Sequence, residues 1–71
     1  MIWIQMSKER SLQAFGANVA PFEGKYRLYI ERTAGNSHHI YEGDLETAMM
    51  HKEAIDWAIS NGHPSYKMFK E

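Results

Sequence analysis

Alternation of apolar and polar positions is clearest in residues 25–32, which read KYRLYIER. Tyr26, Leu28 and Ile30 fall on one side of an extended chain and the other residues on the opposite side, which is typical of a half-buried β-strand. An AGNS cluster follows as a turn, and residues 38–42 return as a second strand. The pattern therefore predicts an antiparallel hairpin.

After this hairpin the periodicity becomes helical. Residues 46–60 read ETAMMHKEAIDWAIS, and Asp44 just before them is a good N-cap. Asn61 and Gly62 form a strong helix-ending signal, and Pro64 prevents continuation. The predicted apolar face of this helix contains Ala48, Ile55, Ala58 and Ile59.

Both ends of the chain alternate as strands do. Residues 1–6 (MIWIQM) and residues 66–70 are predicted strands. Residues 7–24 leave two alternatives open: a short helix that starts at Ser7 and stops at Gly16, or a loop or irregular arm laid across the core.

Together these elements predict an α+β fold in a single domain, residues 1–71. We expect a small antiparallel sheet of three to four strands, covered on one face by a single main helix. The core between helix and sheet is expected to contain Leu28, Ile30, Ile55 and Ile59.

The amino-acid composition narrows the range of possible functions. The chain has 8 Lys and Arg against 9 Asp and Glu, a formal charge of −1, so direct nucleic-acid binding is not expected. No stretch approaches the ~20 apolar residues of a membrane span. The chain has no cysteine, which excludes disulfides and thiolate metal sites and fits a cytoplasmic location.

Four histidines raise the possibility of a metal site. His38 and His39 are adjacent, so in a strand they point to opposite faces, and neither His51 nor His63 lies at a familiar ligand spacing from them. No phosphate-binding loop, dinucleotide motif or nucleophile elbow is present. We therefore expect no metal, no cofactor and no enzymatic activity.

One strand face has the composition of a protein interface. The residues expected there are Lys25, Arg27, Tyr29 and Glu31, joined by His39 and Tyr41 of the hairpin partner. The alternative is that residues 1–21 fold over this face and form a second small core. Trp57 is expected to pack against the N-terminal segment.

From residue 22 to residue 69 a strand ending in Glu-Arg precedes a Gly-containing turn, a helix rich in Ala and Met, and a Gly-x-Pro-x-Tyr segment. This order of motifs resembles small phage-encoded anti-CRISPR proteins directed at type I systems. The matching positions are Tyr26, Leu28, Ile30, Glu31, Arg32, Gly35, Ala48, Met49, Ala54, Ala58, Gly62, Pro64 and Tyr66.

This resemblance implies a non-enzymatic inhibitor in the cytoplasm of a bacterial host cell. Its partner would be a subunit of a type I CRISPR surveillance complex, and its action would block DNA binding or nuclease recruitment. A homodimer also remains open.

Two further resemblances imply an alternative, a small DNA-binding or antitoxin-like regulatory module. The segment GDLETAMMHKEAIDWAI resembles the helix start of HicB-type antitoxins. Glu53, Ala54, Trp57 and Ala58 resemble a helix motif in the arm-binding domains of phage integrases.

Overall fold

The computed structural model describes residues 1–7, 9–33 and 35–68. Within them the chain forms six strands and one helix. In chain order the elements are β1 (Ile2–Gln5), β2 (Ser11–Ala14), β3 (Gly16–Phe22), β4 (Lys25–Thr33), β5 (Asn36–Gly43), α1 (Leu45–Ser60) and β6 (Ser65–Lys67).

Strands β3, β4 and β5 form an antiparallel sheet in that order, here called the second sheet. The predicted hairpin is its β4–β5 part. Its turn contains Gly35 at a φ of 80°, while Ala34 lies outside the described residues. The β3–β4 turn places Glu23 and Gly24 at φ values of 48° and 79°, the left-handed pair that a two-residue hairpin turn requires.

Strands β2, β1 and β6 form the other sheet, here called the first sheet. Trp3 of β1 lies opposite Gln13 of β2 in antiparallel register and opposite Ser65 of β6 in parallel register. The predicted strands at both ends of the chain are therefore present. The expected extension of the last strand to Phe69 and Lys70 lies outside the described residues.

Both alternatives for residues 7–24 are wrong, because this segment contains strands β2 and β3. The two strands meet at Phe15, whose backbone N–H donates to the Glu31 carbonyl at 2.7 Å. Strand β3 is an edge of its sheet, where Pro21 is tolerated because a strand edge does not need its missing N–H.

Helix α1 has the predicted ends. The Asp44 carboxylate accepts from the backbone N–H of Thr47 at 2.9 Å and from its hydroxyl at 3.0 Å. At the other end Gly62 takes a φ of 68°, and the N–H of His63 donates to the Ala58 carbonyl at 2.9 Å. This is the Schellman arrangement expected of a helix that ends in glycine.

One hydrophobic core joins α1 to both sheets. Leu28, Ile30 and Ile55 are fully buried as expected, whereas Ile59 is half-buried and packs against the margin of the core. The expected α+β architecture with one covering helix is confirmed, with the strands divided between two small sheets. The buried core residues are Ile2, Ile4, Ala14, Leu28, Ile30, Ile40, Ile55, Ala58 and Met68.

Candidate protein-binding surfaces

Strand β4 presents four of the predicted partner-binding residues on one face. Because Leu28 and Ile30 point into the core, the alternate positions face away from the helix. These four residues are Lys25, Arg27, Tyr29 and Glu31. The first and last are exposed, and the two central ones are half-buried.

The neighbouring strands extend this surface. Tyr29 lies opposite Asn18 of β3 and His39 of β5, and the rings of Tyr29 and His39 meet edge to face with centroids 6.2 Å apart. Arg27 lies opposite Ala20, a small residue on the β3 side. The outer sheet face is defined by the residues Asn18, Ala20, Phe22, Lys25, Arg27, Tyr29, Glu31, His39 and Glu42.

Arg27 is held in place at the centre of this face. Its Nε donates to the Glu42 carboxylate at 2.7 Å, and its guanidinium carbon lies 3.6 Å from the centroid of the Phe22 ring. The hydrogen bond to Glu42 raises the pKa of Arg27, and the same bond lowers the pKa of Glu42. The result is a rigid planar cation stacked on an aromatic ring, a geometry that arginine favours at interfaces.

The N-terminal segment does not cover the outer sheet face. Ile2 and Ile4 of β1 enter the same core as Leu28, on the helix side of the second sheet. Strand β3 lies beside β4 within the sheet. The alternative in which residues 1–21 form a second core over this face is therefore wrong.

Tyr41 is not on the outer sheet face, contrary to expectation. Tyr29 pairs with His39 but Leu28 pairs with Tyr41, so the ladder contains a β-bulge that leaves Ile40 as the extra residue. A bulge of this kind breaks the alternation of the bulged strand. Tyr41 consequently packs against the hydrophobic core.

Tyr41 belongs to a polar aromatic cluster between β5, α1 and β6. Its ring centroid lies 5.7 Å from that of His51, and its hydroxyl donates to the Asp44 carboxylate at 3.4 Å. His51 Nδ1 and the Tyr66 hydroxyl share a hydrogen bond, and burial raises the pKa of Tyr66. Gly43 makes room for this packing, because a Cβ there would lie 2.8 Å from Cζ of Tyr41. These contacts tie the helix to one strand of each sheet.

A groove of about 610 Å³ opens at the Glu31 end of the outer sheet face. Among the described residues, Glu31 is the one ionisable side chain in its lining. The lining consists of Phe15, Glu31, Thr33, Gly35, Asn36 and Ser37. This set offers an aromatic ring, hydroxyls and one carboxylate, which suits contact with another protein better than acid–base chemistry.

The histidines are distributed over separate surfaces. His38 and His39 lie on β5 with ring centroids 6.2 Å apart, His51 belongs to the cluster with Tyr66, and His63 follows the helix. In the described part of the chain, no group of three or more His, Asp or Glu side chains is arranged to hold a metal ion.

The outward side of α1 carries a second exposed surface, formed around Met50 and Trp57, which the predicted apolar face did not include. Met50 is 64% exposed and Trp57 is 57% exposed. The Trp57 ring contacts His63, with centroids 4.8 Å apart, so its expected packing against the N-terminal segment is wrong. The seven-residue spacing of Met50 and Trp57 was a usable signal, since residues two turns apart share one helix face.

In comparisons with protein-family models, curated proteins and solved structures, no match to this chain was found. Among the described residues, no helix is both long enough and apolar enough to cross a lipid bilayer.

Proposed function

We propose that this chain is a non-enzymatic inhibitor that binds another protein through its outer sheet face. The observation that supports this most is the uncovered centre of that face, where Arg27 stacks on Phe22 beside Tyr29 and His39. Arginine and aromatic side chains supply most of the binding energy at protein interfaces. Their neighbours already fix them in the free protein, which lowers the entropic cost of association.

The charge of this face favours a protein partner over nucleic acid. Two cations, Lys25 and Arg27, are balanced by Glu31 and Glu42, and Arg27 is already paired with Glu42. Phosphate recognition requires cations whose field is not cancelled by neighbouring acids. A protein surface with its own mixture of charges is a better complement.

The resemblance to anti-CRISPR proteins is what supports a specific target. We propose that the partner is a subunit of a type I CRISPR surveillance complex in the cytoplasm of a bacterial host. Occupying that subunit would block either the binding of target DNA or the recruitment of the nuclease.

Purified type I surveillance complex provides a direct test. The expected result is a stoichiometric complex with the chain, seen as co-elution in gel filtration. Loss of target-DNA binding in a gel-shift assay would show that the chain blocks DNA binding. Normal DNA binding without cleavage would show that it blocks recruitment of the nuclease.

Variants of the outer sheet face test the binding surface. Tyr29→Ala is expected to weaken binding about 30-fold, the equivalent of ~2 kcal/mol for an interface hot spot. Arg27→Glu is expected to weaken it as well, because it reverses a central charge. Trp3→Ala and Arg10→Glu are matched controls, since both residues are exposed and lie outside this face.

Two results would contradict the proposal. Normally folded Tyr29→Ala and Arg27→Glu variants that bind the complex as tightly as the unmodified chain would remove the outer sheet face as the site. Retention of the chain on DNA with a steep salt dependence would instead favour the DNA-binding alternative.

A further inference from the structure

The outward side of α1 concentrates exposed apolar side chains. In the described part of the chain eight large hydrophobic residues are exposed, and four of them belong to this helix. They are Leu45, Met49, Met50 and Trp57. Exposed apolar groups scattered singly need no explanation, but a cluster on one helix marks a contact surface.

Acidic residues alternate with these apolar ones along one line. Glu46, Met50, Glu53 and Trp57 are separated by four, three and four positions, so they share one helix face over about 16 Å. The ion pairs of the described residues are Arg27–Glu42 and Lys52–Asp56, and neither involves Glu46 or Glu53. The exposed helix surface, defined as Leu45, Glu46, Met49, Met50, Glu53 and Trp57, is therefore both apolar and negatively charged.

This charge pattern disfavours a second copy of the chain as the occupant. A symmetric antiparallel pair of α1 helices that places Met50 against Trp57 of the other copy puts its two-fold axis near Glu53. The two Glu53 carboxylates would then approach each other, and like charges at an interface oppose association. The complement of this surface is apolar and positively charged.

We propose that the exposed helix surface binds an amphipathic, arginine-bearing segment of another protein. Apolar side chains of that segment pack on Met50 and Trp57, and methionine adapts well to irregular partners. An arginine of the segment both stacks on the Trp57 indole and pairs with Glu53, one helical turn away. This surface is on the opposite side of the second sheet from the outer sheet face, so the inference goes beyond the proposed function and does not depend on it.

Fluorescence of Trp57 provides the test. The Trp3→Phe variant leaves Trp57 as the one indole, and it is titrated with an 18-residue synthetic helical peptide that has leucine on one face and arginine beside it. The matched probe is the same peptide with glutamate in place of arginine. Saturable binding with a blue shift is expected for the arginine peptide and no binding for the glutamate peptide.

Variants test whether the peptide binds at the exposed helix surface. Glu53→Lys and Met50→Ala, made in the same background, are each expected to weaken arginine-peptide binding about tenfold or more. Glu9→Lys is the control, because it reverses an exposed carboxylate elsewhere and should leave the affinity unchanged. Tyr29→Ala should also leave it unchanged, which separates this result from failure of the proposed function.

Three outcomes would overturn the inference. One is equal affinity for the two peptides, and another is the same affinity in Glu53→Lys as in Glu9→Lys. The third is a dimer in sedimentation experiments that Trp57→Ala dissociates, since it would assign the surface to a second copy. A monomer with arginine-peptide binding lost in Glu53→Lys is the result that supports the proposal.

Discussion

The two sheets of this chain differ in how far apart their paired strands lie in the sequence. In the second sheet every pairing joins strands that follow each other in sequence. In the first sheet the β1–β6 pairing brings Trp3 beside Ser65, with the rest of the fold between them. Closing a long loop costs conformational entropy before its contacts repay it. The second sheet is therefore a local structure, whereas the first depends on the whole chain.

The core shows how the distant pairing is stabilised. Ile4 of the first sheet and Ile30 of the second are both fully buried, and Ile55 of α1 belongs to the same cluster. The helix thus links the two sheets. We expect the first sheet to complete only when α1 is docked.

Ile55→Ala tests this link and should have the largest effect. Removing a fully buried isoleucine side chain is expected to cost about 2–5 kcal/mol in free energy of unfolding, measured by urea denaturation. Met50→Ala is the control on the exposed side of the same helix and should change stability little. An unchanged melting temperature for Ile55→Ala would contradict the helix as the link between the sheets.

Folding kinetics distinguish the two sheets directly. Ile4→Val and Ile30→Val should each cost about 0.5–1.5 kcal/mol, because each removes one buried methylene. If the second sheet forms first, Ile30→Val mainly slows folding and Ile4→Val mainly speeds unfolding. Stopped-flow measurements in urea provide both rates, and the reverse partition would show that the first sheet forms early.

The β3–β4 turn offers a smaller, stabilising change. Glu23 has a φ of 48°, a region that asparagine adopts at lower cost than glutamate. Glu23→Asn is expected to raise the free energy of unfolding by up to ~1 kcal/mol. Glu23→Gln removes the charge without relieving the backbone, so it should give no gain. Equal effects of the two variants would assign the change to charge.

We expect the stability of this chain to fall at both acid and alkaline pH, through groups in different parts of the fold. Hydrogen bonds from Thr47 lower the pKa of Asp44, next to the second sheet. A lowered carboxyl pKa gives stability that is present above the unfolded value of ~4 and lost as the pH falls through the folded value. Burial raises the pKa of Tyr66 in the first sheet. The stability that this raised pKa contributes is present below the unfolded pKa of ~10 and is lost as the pH rises through the folded pKa.

Two variants separate these losses of stability in urea titrations across pH. Asp44→Asn keeps a side-chain acceptor at the N-cap, so it should reduce only the loss of stability at acid pH. Tyr66→Phe should reduce only the loss at alkaline pH. A loss at alkaline pH that is unchanged in Tyr66→Phe would show that another group governs it.

The sequence predicted the local parts of this fold well. The α1 ends followed from Asp44 and Gly62, and the β4–β5 hairpin followed from alternation around a turn. Strands β2 and β3 were missed because their apolar positions are mostly small and their turn uses Glu23-Gly24, a weaker signal than Asn-Gly. The β1–β6 pairing depends on tertiary packing, which no local pattern contains.

The candidate surfaces were likewise predicted only where a regular local pattern holds. Alternation placed Lys25, Arg27, Tyr29 and Glu31 on one face, but it failed at Tyr41. A bulge adds one residue to one strand, and a strict period of two cannot represent it. Helical periodicity placed Ile55 inward, whereas the exposure of Trp57 depends on which strands α1 covers.

The pairing of Trp3 with Ser65 also sets the order of events during synthesis. Strand β1 is synthesised before the other described strands, and its β6 neighbour is made 62 residues later, which takes about 3–12 s at a translation rate of ~5–20 residues per second. During that interval one edge of β1 lacks its final partner, with Ile2 and Ile4 next to it. Unpaired edges beside apolar residues promote association between chains. A nascent chain of this protein is therefore most vulnerable to aggregation before residue 67 emerges.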